Sequence, residues 1–446
     1  MTMNLPALFF RAALLIMAAV PLAPAQATNI ERVISPGGIE AWLVREPSIP
    51  LIAMDFAFTG GANQDPEVKP GVAYLMAALL DDGAGELDAK AFQQRIEETA
   101  VQLRFSAGRD HFQGSVRTLR DRRDEGFDLL RLALTQPRFD ADALERVRAQ
   151  AVSSLRRETT NPNSISSRVW WKTAFPDHPY GRPTNGTLES VPLITRDDLR
   201  DYHGRVLTRD TLKVAVVGDI DAATLGPMLD RVFGTLPATG QLMPLPTARI
   251  QDVGRRIVID LDVPQAVLSF GGMGLARKDP DFIPAFVVNH ILGGGSFSSR
   301  LYNEVREKRG LAYGVSSYLL PLDWAALFTG GTQTSNEGAG EALKIIESEI
   351  RRMANEGPTE EELAKAKAYL KGSYPLRFDT SSKIASQLLQ IQLENLGIDY
   401  INKRNSLIDA VSLEDARRVA KRLADGGMLV TVVGRPKDLI SNEPGK

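Results

Sequence analysis

The run from Leu51 to Phe58 is apolar at nearly every position and is bounded by Pro50 and by Gly60-Gly61, a pattern that predicts a strand. Ala266 to Phe270 has the same character and leads into Gly271-Gly272. An Asp-Pro turn follows each run, at Asp65-Pro66 and Asp279-Pro280, and the apolar stretches beyond it predict helices over Gly71–Leu80 and Ile283–Leu292. Leu103–Ala107 and Phe112–Thr118 read as further strands. Thr359 with Glu362 three residues on forms a capping box for a later helix, and Asp140 is the expected N-cap of its equivalent in the first half. Two buried strands ending in glycine, Val214-Ala215-Val216-Val217-Gly218 and Val430-Thr431-Val432-Val433-Gly434, close the two halves.

These landmarks repeat. Pro50 and Asp65-Pro66 recur 214 residues later, and Gly218 recurs 216 residues later. Two landmarks that keep nearly one spacing in both halves imply a duplicated domain. The seam falls at residues 235–252, where Pro237, Gly240, Pro244 and Pro246 interrupt any periodic element. The expected fold class is α+β: two homologous domains, 28–234 and 253–446, each a mostly antiparallel sheet covered by helices.

The N-terminus follows different rules. Arg11 precedes the apolar run Ala12–Leu22, and Ala25-Gln26-Ala27 fits a small-x-small cleavage site, so residues 1–27 read as a secretory signal peptide. A membrane anchor fits less well, because Pro6, Arg11, Pro21 and Pro24 break the stretch. The expectation is an exported, periplasmic protein with no membrane span after signal removal.

Composition narrows the chemistry. The 446 residues carry 53 Lys plus Arg against 55 Asp plus Glu, a formal net charge of -2, which argues against nucleic acid as a partner. With no cysteine there is no thiolate nucleophile, disulfide or Cys-built metal site. The four histidines, His111, His178, His203 and His290, are scattered, and no two lie one helical turn apart.

One stretch is more specific. Leu292-Gly293-Gly294-Gly295-Ser296-Phe297-Ser298-Ser299-Arg300-Leu301 runs into Val305-Arg306-Glu307-Lys308-Arg309-Gly310-Leu311-Ala312-Tyr313-Gly314-Val315. This resembles the C-terminal-half signature of the pitrilysin/insulinase family of zinc metallopeptidases, which includes the mitochondrial processing peptidases. Gly60-Gly61, Gly71-Val72-Ala73, His178-Pro179-Tyr180-Gly181 and Val217-Gly218-Asp219 fall where that family has its landmarks. The resemblance implies a clamshell half built from a duplicated domain.

The resemblance also exposes a departure. Active members carry His-x-x-Glu-His on the helix after the Gly-x-Ala start. Here that stretch places Tyr74 at the first His, Ala77 at the general base and Ala78 at the second His. Counting back from Asn161-Pro162, the family's third ligand falls on Ser153, beside Ser154. The expectation is therefore that this chain binds no zinc and has no catalytic residues of its own.

The family's Arg/Tyr pair, which holds the peptide and its scissile carbonyl, corresponds to Arg306 and Tyr313. Gly293 to Gly295 forms a loop that either lets backbone approach the peptide or permits a tight helix entry. The implied function is the non-zinc-binding subunit of a heterodimeric peptidase, with zinc in a homologous partner that keeps His-x-x-Glu-His. Two alternatives stay open: a purely structural or interaction subunit, and a stand-alone peptide-binding protein.

Overall fold

A computed structural model describes residues 29–442; the expected signal segment, 1–27, lies outside them. The apolar runs form two sheets. The first has six strands: β1 (Glu31–Ile34), β2 (Glu40–Arg45), β3 (Leu51–Thr59), β4 (Gln102–Ala107), β5 (His111–Leu119) and β6 (Lys213–Gly218), in the order β1-β2-β6-β3-β5-β4. The second has five: β7 (Arg256–Asp260), β8 (Gln265–Met273), β9 (Ala312–Pro321), β10 (Ala326–Ser335) and β11 (Leu429–Gly434), in the order β7-β11-β8-β10-β9.

The second order repeats five strands of the first, pair for pair. In each sheet one pair is parallel, β2 with β6 and β7 with β11, and the others are antiparallel. The α+β architecture of two helix-covered, mostly antiparallel sheets is thus present.

The unbroken apolar character of the central strands has a direct cause: both faces of each sheet are covered. Ile52, Met54, Phe56, Val214 and Val216 face one core with the helices of the first half. On the opposite face Trp42, Val44, Ala57, Ala215 and Val217 pack against Ala385, Leu388, Leu389 and Ile391 of the helix Ser381–Leu393, which comes from the second half of the chain. Gln392 Nε2 donates to Val214 O at 2.9 Å.

The reciprocal exchange occurs on the second sheet. There the helix Pro162–Ala174 lies on β8 and β11, with Trp170 Nε1 donating to Leu429 O at 3.1 Å. Ser166 Oγ is 2.9 Å from Ser269 Oγ and 2.8 Å from Thr431 Oγ1. Each half therefore lends one helix to the other's sheet.

Two further ties join the halves. The buried Asp110 carboxylate accepts from Tyr180 OH at 2.6 Å and from Asp323 N at 3.1 Å, while Tyr180 OH accepts from Trp324 N at 3.1 Å. The Pro-rich segment between the halves is strapped to both: Met243 N donates to Gln64 Oε1 at 2.7 Å and Ala248 N donates to Trp324 O at 2.7 Å.

Two local details go beyond the expectations. Asp140 occupies the N-cap of the helix Ala141–Glu158 but makes no side-chain cap bond, because its carboxylate accepts from Arg138 Nε at 2.6 Å. The helix expected over Ile283–Leu292 starts at Phe282, is α-helical to Asn289, and then widens into a π-helical turn over His290–Gly294. At the strand ends the terminal glycine is required: Gly218 has φ +144°, and a Cβ there would overlap the Leu51 carbonyl oxygen.

Candidate functional site

The helix Val72–Leu79 starts at Gly71, whose φ is 104°, and its first turn is held by Asp65. One Asp65 carboxylate oxygen accepts from Gly71 N at 2.6 Å and the other from Ala73 N at 2.9 Å. Burial pushes this carboxyl up to about 7 against those hydrogen bonds. The helix packs on Ala141–Glu158, so the positions expected to have lost the metal motif share one neighbourhood.

Tyr74 is 38% exposed, Ala78 and Ser153 are exposed, and Ala77 is buried. Ser153 Oγ accepts from Arg157 Nη1 at 2.9 Å. A phenol, two methyl groups and a hydroxyl already engaged by an arginine do not fit a zinc ion, which takes imidazole, thiolate or carboxylate donors. Among the described residues no group of three His, Cys, Asp or Glu could hold a metal.

The histidines have separate local partners. His178 Nδ1 accepts from Tyr180 N at 3.2 Å, His203 Nε2 is 2.7 Å from Leu134 O, and His111 Nε2 is 3.4 Å from Asp323 Oδ2. His290 stacks on Tyr369 with ring centroids 5.1 Å apart. Burial lowers the pKa of His178, His203 and His290.

In the second half the glycine-rich stretch is not an open loop. Gly293 and Gly294 belong to the π-helical turn, and a Cβ at Gly293 would sit 2.8 Å from Ser317 N of β9. Glycine is needed there so that the helix can touch the strand. That contact carries the chain through a short turn, Ser296–Ser298, into the helical segment Arg300–Glu307.

Arg300 anchors this segment. Its Nε and Nη2 each donate to the Glu362 carboxylate at 2.7 Å, and Nη2 also donates to Gly357 O at 2.9 Å. Glu362 is the capping-box residue expected from sequence, and its carboxylate also accepts from Thr359 N at 2.8 Å. Burial raises the Glu362 pKa, but Arg300 and Thr359 outweigh it and hold the carboxyl at about 2. A carboxyl depressed in the folded state stabilises fully above its unfolded pKa of ~4.3, and that contribution is lost as pH falls through its folded pKa. Glu362→Gln is therefore expected to lower stability at neutral pH and to flatten the fall between pH ~4.5 and ~2, read from denaturant midpoints across that range. An unchanged acid limb in the variant would contradict this assignment.

Arg306 and Tyr313 come together at the end of this anchored segment. The Arg306 guanidinium lies 4.5 Å from the Tyr313 ring centroid and 4.9 Å from that of Tyr302. Phe297 extends the group, meeting Tyr302 edge-on with centroids 5.0 Å apart. Tyr313 is 87% exposed on β9, the edge strand of the second sheet, and Phe297 is also exposed.

The guanidinium is thus supported by two aromatic faces and presents its N–H groups beside an unburied phenol. Such a group suits a carbonyl or carboxylate oxygen. Sequence reasoning named Arg306 and Tyr313 but missed Tyr302 and Phe297. Tyr302 stands four residues before Arg306, a helical neighbour spacing that could have been read; Phe297 offered no comparable signal.

Two family models match the chain: "Insulinase (Peptidase family M16)" over residues 44–188 and "Peptidase M16 inactive domain" over residues 193–370. The chain is 28% identical over 335 residues to a non-peptidase homolog of Helicobacter pylori, covering 75% of this chain and 77% of that protein. It is 26% identical over 422 residues to an uncharacterized zinc protease of Mycobacterium tuberculosis, covering 93% and 95%. A crystal structure of a peptidase M16 inactive domain from Pseudomonas fluorescens superimposes with a TM-score of 0.85 at 27% identity, covering 93% of this chain and 99% of that one. With both halves matched, the chain belongs to the insulinase family, peptidase family M16, as an inactive member.

Proposed function

We propose that this chain is the non-zinc-binding subunit of an exported, periplasmic two-chain peptidase. Arg306 and Tyr313 hold the substrate peptide and polarise its scissile carbonyl, while a homologous partner with intact His-x-x-Glu-His carries the metal and the general base. The observation that supports this most is the 87% exposure of Tyr313 with the Arg306 guanidinium resting on its ring. A tyrosine kept for packing would bury its ring. This one leaves ring and hydroxyl in solvent on an edge strand, where a cation orients it.

The Arg306 N–H groups and the Tyr313 hydroxyl are then two donors that converge on a peptide oxygen. Donors aimed at developing negative charge are the strongest electrostatic aid to amide hydrolysis. On this reading the general base belongs to the second chain, so hydrolysis requires that chain.

The test is co-expression with a homologue that carries His-x-x-Glu-His, followed by zinc analysis and a peptidase assay of each chain and of the mixture. The expected result is a stable complex, zinc only in the partner, and turnover only in the mixture. Zinc and turnover in this chain alone would overturn the reading, and so would failure of the two chains to associate.

A further inference from the structure

A second site lies beside β9. A cavity of about 630 Å³ opens between the helix Phe282–Asn289, β9, the helix Ser381–Leu393 and the segment Tyr369–Arg377. That volume falls in the range of roughly 300–1,000 Å³ used for small ligands. Its charged groups are Arg277, Arg377, Arg404 and Glu394, three cations against one carboxylate.

Arg277 uses the carboxylate: its Nε is 2.5 Å from Glu394 Oε2, and its Nη2 donates to Tyr400 OH at 2.7 Å. Arg377 is exposed and stands at the rim beside the exposed Leu376. Arg404 is only 5% exposed, yet among the described residues no carboxylate pairs with it. Its Nη1 donates to Leu370 O at 3.1 Å and to Asn405 Oδ1 at 3.4 Å, and its other N–H groups meet no acceptor among the described residues.

A guanidinium so buried would ordinarily be matched by an anion. Here it is sandwiched instead between aromatic rings, 4.1 Å from the Tyr374 centroid and 5.7 Å from that of Phe286. Burial lowers its pKa; Tyr400 and Tyr374 oppose that effect, and Arg377 and Arg277 add to it. The cavity is thus positively charged, aromatic-walled, and supplied with unused donors in a fixed planar fork.

We propose that this cavity binds the C-terminal carboxylate of a peptide, with the terminal apolar side chain against the aromatic wall and Arg404 and Arg377 on the carboxylate. The choice of a peptide carboxylate over other anions rests on the peptide-handling reading above. The site itself rests on the unpaired, buried Arg404. β9 connects the two places: Tyr318, which lines the cavity, stands five residues after Tyr313, a strand length of ~17 Å at ~3.4 Å per residue. One extended peptide could span both.

Calorimetric titration of the full chain with an octapeptide ending in phenylalanine, as free acid and as C-terminal amide, tests this. The free acid is expected to bind at least tenfold more tightly than the amide. In Arg404→Met that advantage should fall below twofold, and the exposed Arg377→Gln should reduce it about threefold. Should Arg404→Met fail to fold, the acid-to-amide ratio and Arg377→Gln decide alone.

Equal binding of acid and amide in the unsubstituted chain would overturn the cavity proposal. If Arg306→Ala then weakened both peptides, the peptide-handling reading would stand without it. Absence of binding by either peptide would overturn the cavity proposal, while the two-chain reading is decided by the assay of the mixture. Arg404-dependent binding of inorganic phosphate, with acid and amide peptides alike, would mark a small-anion site and also overturn the proposal.

Discussion

Arg306→Ala is expected to lower kcat/KM of the two-chain peptidase by about 100-fold, and Tyr313→Phe by about 10-fold, with the chain alone inactive throughout. Loss of one donor to a developing oxyanion costs roughly 10²–10³ in kcat, and Arg306 offers a charged donor, the stronger kind. Tyr313→Phe removes only the hydroxyl and keeps the ring under the guanidinium, whose centroid lies 4.5 Å away. It therefore separates hydrogen bonding from stacking. Tyr302→Leu tests the support: the guanidinium loses the face 4.9 Å away but keeps its own donors, so a smaller effect of about threefold is expected. If the donors act on the transition state, kcat falls while KM changes little. A rise in KM alone would assign the pair to peptide holding without carbonyl polarisation, and full activity in both Arg306→Ala and Tyr313→Phe would remove the pair from the mechanism.

Trp170→Ala is expected to destabilise the whole chain by ~3–5 kcal/mol, the usual range for truncating a buried large aromatic. Trp170 is 3% exposed and lies against Gly271 of β8, where a Cβ would come within 2.5 Å of its ring. The substitution removes that packing and also leaves the Leu429 carbonyl without the indole N–H, which donates at 3.1 Å. A glycine opposite cannot fill the space, so the cavity stays.

Because the helix bearing Trp170 belongs to the first half and its contacts to the second, both halves should unfold in one shifted transition. Tryptophan fluorescence and far-UV circular dichroism measured against urea should give coincident midpoints. A change below about 1 kcal/mol would show that the exchanged helix contributes little, and separated midpoints would show that the halves unfold independently.

Much of the architecture was legible because local patterns and the internal repeat agree. The strands around Leu51 and Ala266 lie where expected, and the Thr359/Glu362 capping box forms with both of its bonds. The details not legible were those in which a neighbour competes. Arg138 draws the Asp140 carboxylate away from its helix end, and close contact with Ser317 makes Gly293 part of a helical turn instead of a loop. Arg306 and Tyr313 were readable through a family spacing. The surroundings of the buried Arg404 were not, because Phe286, Leu370 and Tyr374 come from segments far apart in the chain.

The sequence by itself carried the duplicated plan and, through the family resemblance, the expectation that Tyr74, Ala77, Ala78 and Ser153 stand where the zinc ligands and base would be. Both rest on residue identity at a fixed spacing, and a chain without imidazole or carboxylate at those positions cannot acquire them by folding. Only the tertiary structure decided that Pro162–Ala174 and Ser381–Leu393 cross to the opposite sheets, that Tyr313 stands free with Arg306 on its ring, and that Arg404 is buried with no carboxylate paired to it among the described residues. An apolar helix face specifies that it must be covered without specifying by which sheet. Likewise, a guanidinium's meaning depends on which distant groups share its surroundings.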